Sequence, residues 1–462
     1  MSDTLRDTRR GEPVRAQLER ALGVALSATA ALIAITCGSR GTLEHGPIAP
    51  LVLSAAGAGG GSVGGGGAPS SGAVAPLGVA TAAETAHSSA EAGVGSGNVL
   101  GRFFRDLAGL EAGTRREMVR IFWLGDSHTA ADYLTGALRS RLEKRFGVGG
   151  PGFARIGLKP YRHSQIRWAC DGPWKIEPVP PPRRTLFDDG VFGLGGMRAA
   201  PDGAPAQASF ELSPGSARGQ LHWQLWFSLK EGSSFRLTVA SVSQVITQAS
   251  QVPELPGAGF ASLALESAAT DKLELLTLGG SPRFYGLTVE GSEPGVVLDA
   301  VGIDGARLAT ALAWSETSFE AALRTRTPSL VALAFGTNEA FDADKIEKYR
   351  SHYRDALARV RIAAPNADCL IVGPPDAVAV GGGSEPRVTE IDVLQRSVAT
   401  ELGCGFVSQL QIMGGAGGFS RWARQTPPLA RGDRLHLSAK GYETMANAIA
   451  DELLAKYDNR AH

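Results

Sequence analysis

Two stretches of the chain share one pattern, and it narrows the fold class more than any other feature. Residues 119–124 are an apolar, β-rich run ending in Gly125-Asp126-Ser127-His128, followed by a helical pattern with Tyr133, Leu134, Ala137, Leu138 and Leu142 on one face. Residues 329–335 form a second such run, ending in Gly336-Thr337-Asn338-Glu339 and leading to a helix that carries Ile346, Tyr349, Tyr353, Leu357 and Val360 as a single apolar stripe. Two more strand candidates, 368–373 and 404–408, flank a helix with Val388, Ile391, Leu394, Val398 and Leu402. A last helix, N-capped by Ser438, turns Tyr442, Met445, Ile449 and Leu453 inward. Uninterrupted apolar strands alternating with helices predict an α/β fold whose parallel sheet is covered on both faces.

Between about 150 and 294 the period changes. Short alternating runs separated by Gly, Pro and Ser, such as residues 220–227, 234–239 and 283–289, predict an all-β sandwich of jelly-roll type. The α/β pattern resumes at residues 297–301, so the sandwich interrupts one domain and does not follow it. The expected organisation is a core in two parts, 99–150 and 295–462, around an insert at 151–294.

No Phe, Tyr or Trp precedes Phe103, so the N-terminal stretch lacks side chains to anchor a core. Arg6, Arg9, Arg10, Arg15 and Arg20 precede an apolar run at 21–37, the order of an export signal or an uncleaved anchor, and residues 1–40 are assigned to it. Cys37 sits in a loose lipoprotein-like box, which makes it a candidate for acylation and membrane attachment. Residues 41–98, rich in Gly, Ala and Ser, are expected to be a disordered tether. The folded part is therefore expected in the periplasm or cell envelope.

Lys+Arg and Asp+Glu both total 46, so bulk electrostatics gives no reason to expect a nucleic-acid partner. The four cysteines show no CxxC pair, which disfavours structural zinc. Cys369 and Cys404 fall near the starts of two strands, and pairing or a reduced, buried state are both open.

Ser127 lies between a strand and a helix, where free backbone N–H groups suit a nucleophile attacking a carbonyl. Taken alone, that junction reads as a helix cap. A base changes the balance, and His436 in Asp433-Arg434-Leu435-His436 supplies one, with Asp433 placed to orient the imidazole. Gly125-Asp126-Ser127, Gly305 within Gly302-Ile303-Asp304-Gly305, Gly336-Thr337-Asn338-Glu339 and Asp433-x-x-His436 come in this order on α/β elements, and together they resemble the SGNH (GDSL-type) hydrolase family. The resemblance implies a flavodoxin-like three-layer α/β/α core, with Ser127 as nucleophile, His436 as general base and Asp433 as its carboxylate. It also implies an oxyanion hole made by Ser127, Gly305 and Asn338.

His128 directly after the nucleophile, the GTNE block and the β insert are similar to a narrower group, the bacterial peptidoglycan O-acetylesterases, whose insert resembles a carbohydrate-binding module. That implies a serine acetylesterase acting on an O-acetylated cell-envelope glycan, with no metal or organic cofactor. An O-acetyltransferase using the same residues and a glycan-binding protein with a vestigial core are the alternatives. His128, Glu339 and Trp422 are candidate substrate contacts, and local hydrogen bonding or packing is the alternative for each. Trp223 and Trp226 fall on opposite faces of one strand, so at least one belongs to a core.

Overall fold

The structure is a computed structural model of the 462-residue chain. It describes residues 99–159, 161–179, 189–268 and 270–459. The signal or anchor, Cys37 and the tether lie outside the described residues.

Along the strand Val119–Gly125 the side chains alternate: Ile121 and Trp123 enter one apolar cluster, Phe122 and Leu124 the other, and all four are buried. A strand apolar on both faces needs helices on both. Gly101–Glu111, Tyr133–Phe146 and Ala439–Asp458 cover one side, and Glu316–Arg326, Glu347–Ala363 and Pro386–Leu402 the other. Helix ends follow local chemistry: the Ser438 Oγ accepts from the Gly441 N–H at 3.0 Å, and Gly403 closes Pro386–Leu402 in the left-handed region at φ 64°.

The strands run across a six-stranded parallel sheet in the order Gly405–Ser408, Asp368–Gly373, Leu330–Ala334, Val119–Gly125, Val296–Gly302, Val148–Gly150. Leaving aside the short edge strand Val148–Gly150, the spatial order in chain numbering is 2-1-3-4-5, that of flavodoxin-like folds. Order reverses between Val119–Gly125 and Leu330–Ala334, the topological switch point at whose carboxyl ends such sheets carry their sites. Ser127 follows the first of these strands and Asn338 the second. A disulfide between Cys369 and Cys404 joins the last two strand segments. Among the described residues no helix is long and apolar enough to cross a membrane.

The intervening segment forms two antiparallel sheets. One runs Val242–Ile246, Ser234–Val239, Lys272–Gly279, Gln207–Leu212, Ile166–Asp171, and the other runs Ala261–Ser267, Leu221–Ser228, Arg283–Gly291, Met197–Pro201, Trp174–Pro178. Gly152–Ala154 pairs with Arg283–Gly291 on this second sheet. Phe210, Trp223, Phe227, Phe235 and Phe284 fill the sandwich. Both Trp223 and Trp226 are buried, but in different cores: Trp226 stacks on Phe153 and joins the cluster that contains Leu124.

Polar contacts also bind the sandwich to the sheet. Arg326, at the end of its helix, donates to both carboxylate oxygens of Asp299 at 2.9 and 3.1 Å and also to Glu290. Arg120 holds Glu290 from the other side at 2.8 and 2.6 Å.

The helix expected directly after Ser127 is interrupted. It runs Ser127–Ala130, then Asp132 takes φ 50°, and Tyr133–Phe146 begins. The left-handed backbone is compensated by the buried Asp132 carboxylate, which accepts from Thr135 Oγ1 at 2.6 Å, from Arg139 at 3.1 and 3.2 Å, and from the Ser164 N–H at 2.8 Å. Burial pushes this carboxyl up, but the Arg139 charge outweighs it and holds the group well below its ordinary range.

Candidate active site

Gly125 ends its strand where there is no room for a side chain: a Cβ would stand 2.3 Å from Thr129 Oγ1 and 2.8 Å from the Ala334 carbonyl oxygen. The chain turns there, and Asp126 caps the short helix by accepting from the His128 N–H at 2.9 Å. With four residues, Ser127–Ala130 has little macrodipole, so any stabilisation of negative charge comes from individual N–H groups.

Ser127 Oγ lies 2.9 Å from His436 Nε2, and His436 Nδ1 lies 3.2 Å from Asp433 Oδ2. The second Asp433 oxygen accepts from the backbone N–H groups of His436 at 2.8 Å and Leu435 at 3.1 Å, an Asx turn that explains the three-residue spacing. Partial burial pushes the Asp433 carboxyl up, and these N–H groups with the neighbouring imidazole outweigh it, keeping the group below its ordinary value and ionised. An ionised carboxylate only accepts, so Nδ1 carries the imidazole proton and Nε2 is left to accept from the Ser127 hydroxyl. This is the arrangement that activates a serine for acyl transfer.

Gly305 sits in a turn closed by the Ala306 N–H to the Ile303 carbonyl at 3.0 Å, with φ 69°, and the backbone conformation, not crowding, favours glycine. Asn338 Nδ2 donates one hydrogen to the Ala306 carbonyl at 2.8 Å and keeps a second. Among the described residues, the N–H groups of Ser127 and Gly305 donate to no protein acceptor. These three donors lie on the loops that follow three adjacent strands of the parallel sheet. Asn338→Ala is expected to lower kcat for an ester substrate by about 10²–10³ with little change in KM, measured by steady-state kinetics.

The three candidate substrate contacts each have partners within the protein. Glu339 is 3% exposed, and its two oxygens accept from the Leu308 N–H at 2.8 Å and the Gly336 N–H at 3.1 Å. It ties the Gly305 and Asn338 loops together. Arg307 does the same from outside, bridging Asp342 at 2.6 Å by two nitrogens and the Gly305 carbonyl at 3.2 Å. His128 is buried, shares a hydrogen bond with the Tyr442 hydroxyl at 3.0 Å and lies 5.3 Å from the His436 ring. Burial, with His436 alongside, holds its imidazole down at about 3, so it stays neutral beside the base. Trp422 is buried with Met413, Phe419 and Leu429 in the apolar layer.

Burial pushes the Glu339 carboxyl up to about 7 from its ordinary 4.5. Glu339→Gln sets an NH₂ group against one backbone N–H and should cost about 1–3 kcal/mol in urea unfolding. A folded-state value above the ordinary one means that this group's contribution is full below 4.5 and is lost as pH rises through about 7. The deficit of the variant should therefore narrow toward alkaline pH. Asp342 and Tyr442 carried no sequence signal for these contacts, since Arg307 and His128 lie far from them along the chain.

The model of the GDSL-like lipase/acylhydrolase family matches residues 279–444. That span holds the Gly305, Asn338 and His436 blocks, while Ser127 lies on the other side of the sandwich. Fold, site and family match define a carboxylic ester hydrolase that is similar, over that span, to the SGNH (GDSL-type) enzymes. Among them the chain resembles the peptidoglycan O-acetylesterases: a solved structure of one matches with 28% identity over 78% of this chain and 98% of that chain, at a TM-score of 0.65. A family two carbohydrate esterase from Clostridium thermocellum in complex with cellohexaose also matches, with 12% identity over 63% of this chain and 99% of that one, at a TM-score of 0.27. A lipase/acylhydrolase from Enterococcus faecalis matches with 18% identity over 36% and 77%, also at 0.27. No curated protein matches the chain.

Proposed function

We propose that this chain removes acetyl groups from an O-acetylated cell-envelope glycan, peptidoglycan being the substrate best supported, through an acyl-enzyme on Ser127. The observation that carries this is the match over 98% of a peptidoglycan O-acetylesterase, joined to the hydrogen-bonded chain Ser127–His436–Asp433. The Ser127 oxygen attacks the ester carbonyl as its proton passes to His436 Nε2. The tetrahedral oxyanion receives hydrogen bonds from the N–H groups of Ser127 and Gly305 and from the second amide hydrogen of Asn338. The sugar hydroxyl leaves with the proton from His436. Water, deprotonated by His436, then attacks the acyl carbon, and acetate is freed as the Ser127 oxygen leaves and takes the proton back from His436.

Work outside the cytoplasm is part of the proposal. It is supported by the N-terminal charge-then-apolar order and by the Cys369–Cys404 disulfide, a bond that persists in oxidising compartments. The test is acetate release from O-acetylated peptidoglycan, with Ser127→Ala in parallel and an aryl acetate as a generic ester. Release by the parent alone supports the proposal. Turnover of the aryl ester without release from the glycan would leave an ester hydrolase with another substrate, and acetyl appearing on an added sugar acceptor would make the chain a transferase.

A further inference from the structure

Arg155 is a buried cation that the Ser127–His436–Asp433 chemistry does not use. It follows the strand Gly152–Ala154, which pairs with the sandwich strand Arg283–Gly291, and it is 5% exposed. Among the described residues no carboxylate lies within ion-pair distance of it. Its Nη2 instead donates to two main-chain carbonyls, Gly302 at 2.5 Å and Gly195 at 3.2 Å. A guanidinium buried on carbonyls alone is a costly arrangement, and what those carbonyls belong to gives it a role.

Gly302 ends its strand three residues before Gly305. The peptide after it is gripped on both sides: its oxygen accepts from Arg155, and its N–H, that of Ile303, donates to the Gly125 carbonyl at 3.0 Å. Gly302 also lies flat against the helix that begins at Ser127, since a Cβ there would stand 2.1 Å from the Ala130 nitrogen. The second acceptor belongs to the loop 193–196, whose Gly196 packs so closely that a Cβ would stand 2.4 Å from Ile303 Cδ1. The sandwich thus reaches the Gly305 turn by a hydrogen bond and by direct packing.

We infer that Arg155 is a positioning residue of the ester-hydrolase site: from the sandwich it fixes the Gly302–Ile303 peptide and so aims the Gly305 N–H at the oxyanion formed on Ser127. The inference rests on the reading of Ser127 as nucleophile. A misaimed donor weakens the transition state more than the bound substrate, so the defect falls on kcat.

The experiment uses the parent, Ser127→Ala, Arg155→Met and Arg155→Lys, with an aryl acetate substrate. Folded protein is measured by near-UV circular dichroism, and reactive serines are counted by exhaustive labelling with a fluorophosphonate. Parent turnover that disappears in Ser127→Ala secures the underlying reading, and a parent without turnover overturns both readings. Per folded molecule, Arg155→Met should lose about tenfold to a hundredfold in kcat, with KM kept within about twofold. Arg155→Lys, which retains a charged donor, should fall between it and the parent. If Arg155→Met keeps the parent's kcat, or loses activity only through a raised KM, the positioning role is wrong while the hydrolase reading stands. Should Arg155→Met fail to fold, the lysine variant decides: a lowered kcat at unchanged KM supports the role, and the parent's kcat overturns it.

Discussion

Ser127→Ala is expected to lower kcat on a small aryl acetate by roughly 10⁴–10⁶-fold while leaving the thermal unfolding temperature nearly unchanged. The hydroxyl supplies the attacking atom, and its removal leaves His436 with nothing to deprotonate but water. What survives comes from the remaining oxyanion donors and from binding. Stability is spared because the Ser127 side chain makes one hydrogen bond, to His436, and removes little apolar contact. The size of the loss ranks the site. His436→Ala should come close to it, since base and nucleophile act as a unit. Asp433→Asn should cost less, because the Asp433 side chain is 38% exposed and water screens and partly replaces its interaction with the imidazole. Retention of more than about 1% of parent turnover in folded Ser127→Ala would place the nucleophile elsewhere.

The second large effect is on stability. Arg326→Met should destabilise the protein by about 3–5 kcal/mol at neutral pH, read from urea unfolding. Asp299 is fully buried and would lose the cation that engages both its oxygens, and Glu290 would keep only Arg120. Methionine fills the space of the side-chain stem but compensates neither charge. Acid provides the check. Burial pushes the Glu290 carboxyl up, yet Arg326 and Arg120 together outweigh it and hold the group down at about 2, below its ordinary 4.5. A depressed value means that the stabilisation is complete above 4.5 and is lost as pH falls through about 2. The gap between parent and variant should therefore shrink between those pH values, and a gap that stays constant would assign the loss to packing.

What was legible from sequence follows from how local the causes are. A strand apolar on both faces, as at Ile121–Trp123 and Phe122–Leu124, announces its two helical layers wherever it sits. The five residues Ser127, Gly305, Asn338, Asp433 and His436 each end a strand or open a helix or turn, and a parallel sheet brings such ends to one side. The partners of Glu339, His128 and Trp422 were not legible. A carboxylate beside a loop asparagine has the same local sequence whether it meets a sugar or the N–H groups of Leu308 and Gly336. Only the tertiary arrangement chooses, and here it chose the backbone. The break at Asp132 was hidden for the same reason. No glycine or proline marks it, and the groups that sustain its left-handed backbone include Arg139 and, from the segment leading into the sandwich, Ser164.

The sandwich sits in the chain between the nucleophile and the rest of the site, and Ser127 and His436 are 309 residues apart. Loops closed over such distances form late in folding. A nascent polypeptide extended only through the sandwich carries Ser127 without Gly305, Asn338, Asp433 or His436. On the proposed mechanism Ser127 gains its base only once the carboxyl-terminal strands have added to the sheet, so the order of assembly sets when ester cleavage can begin.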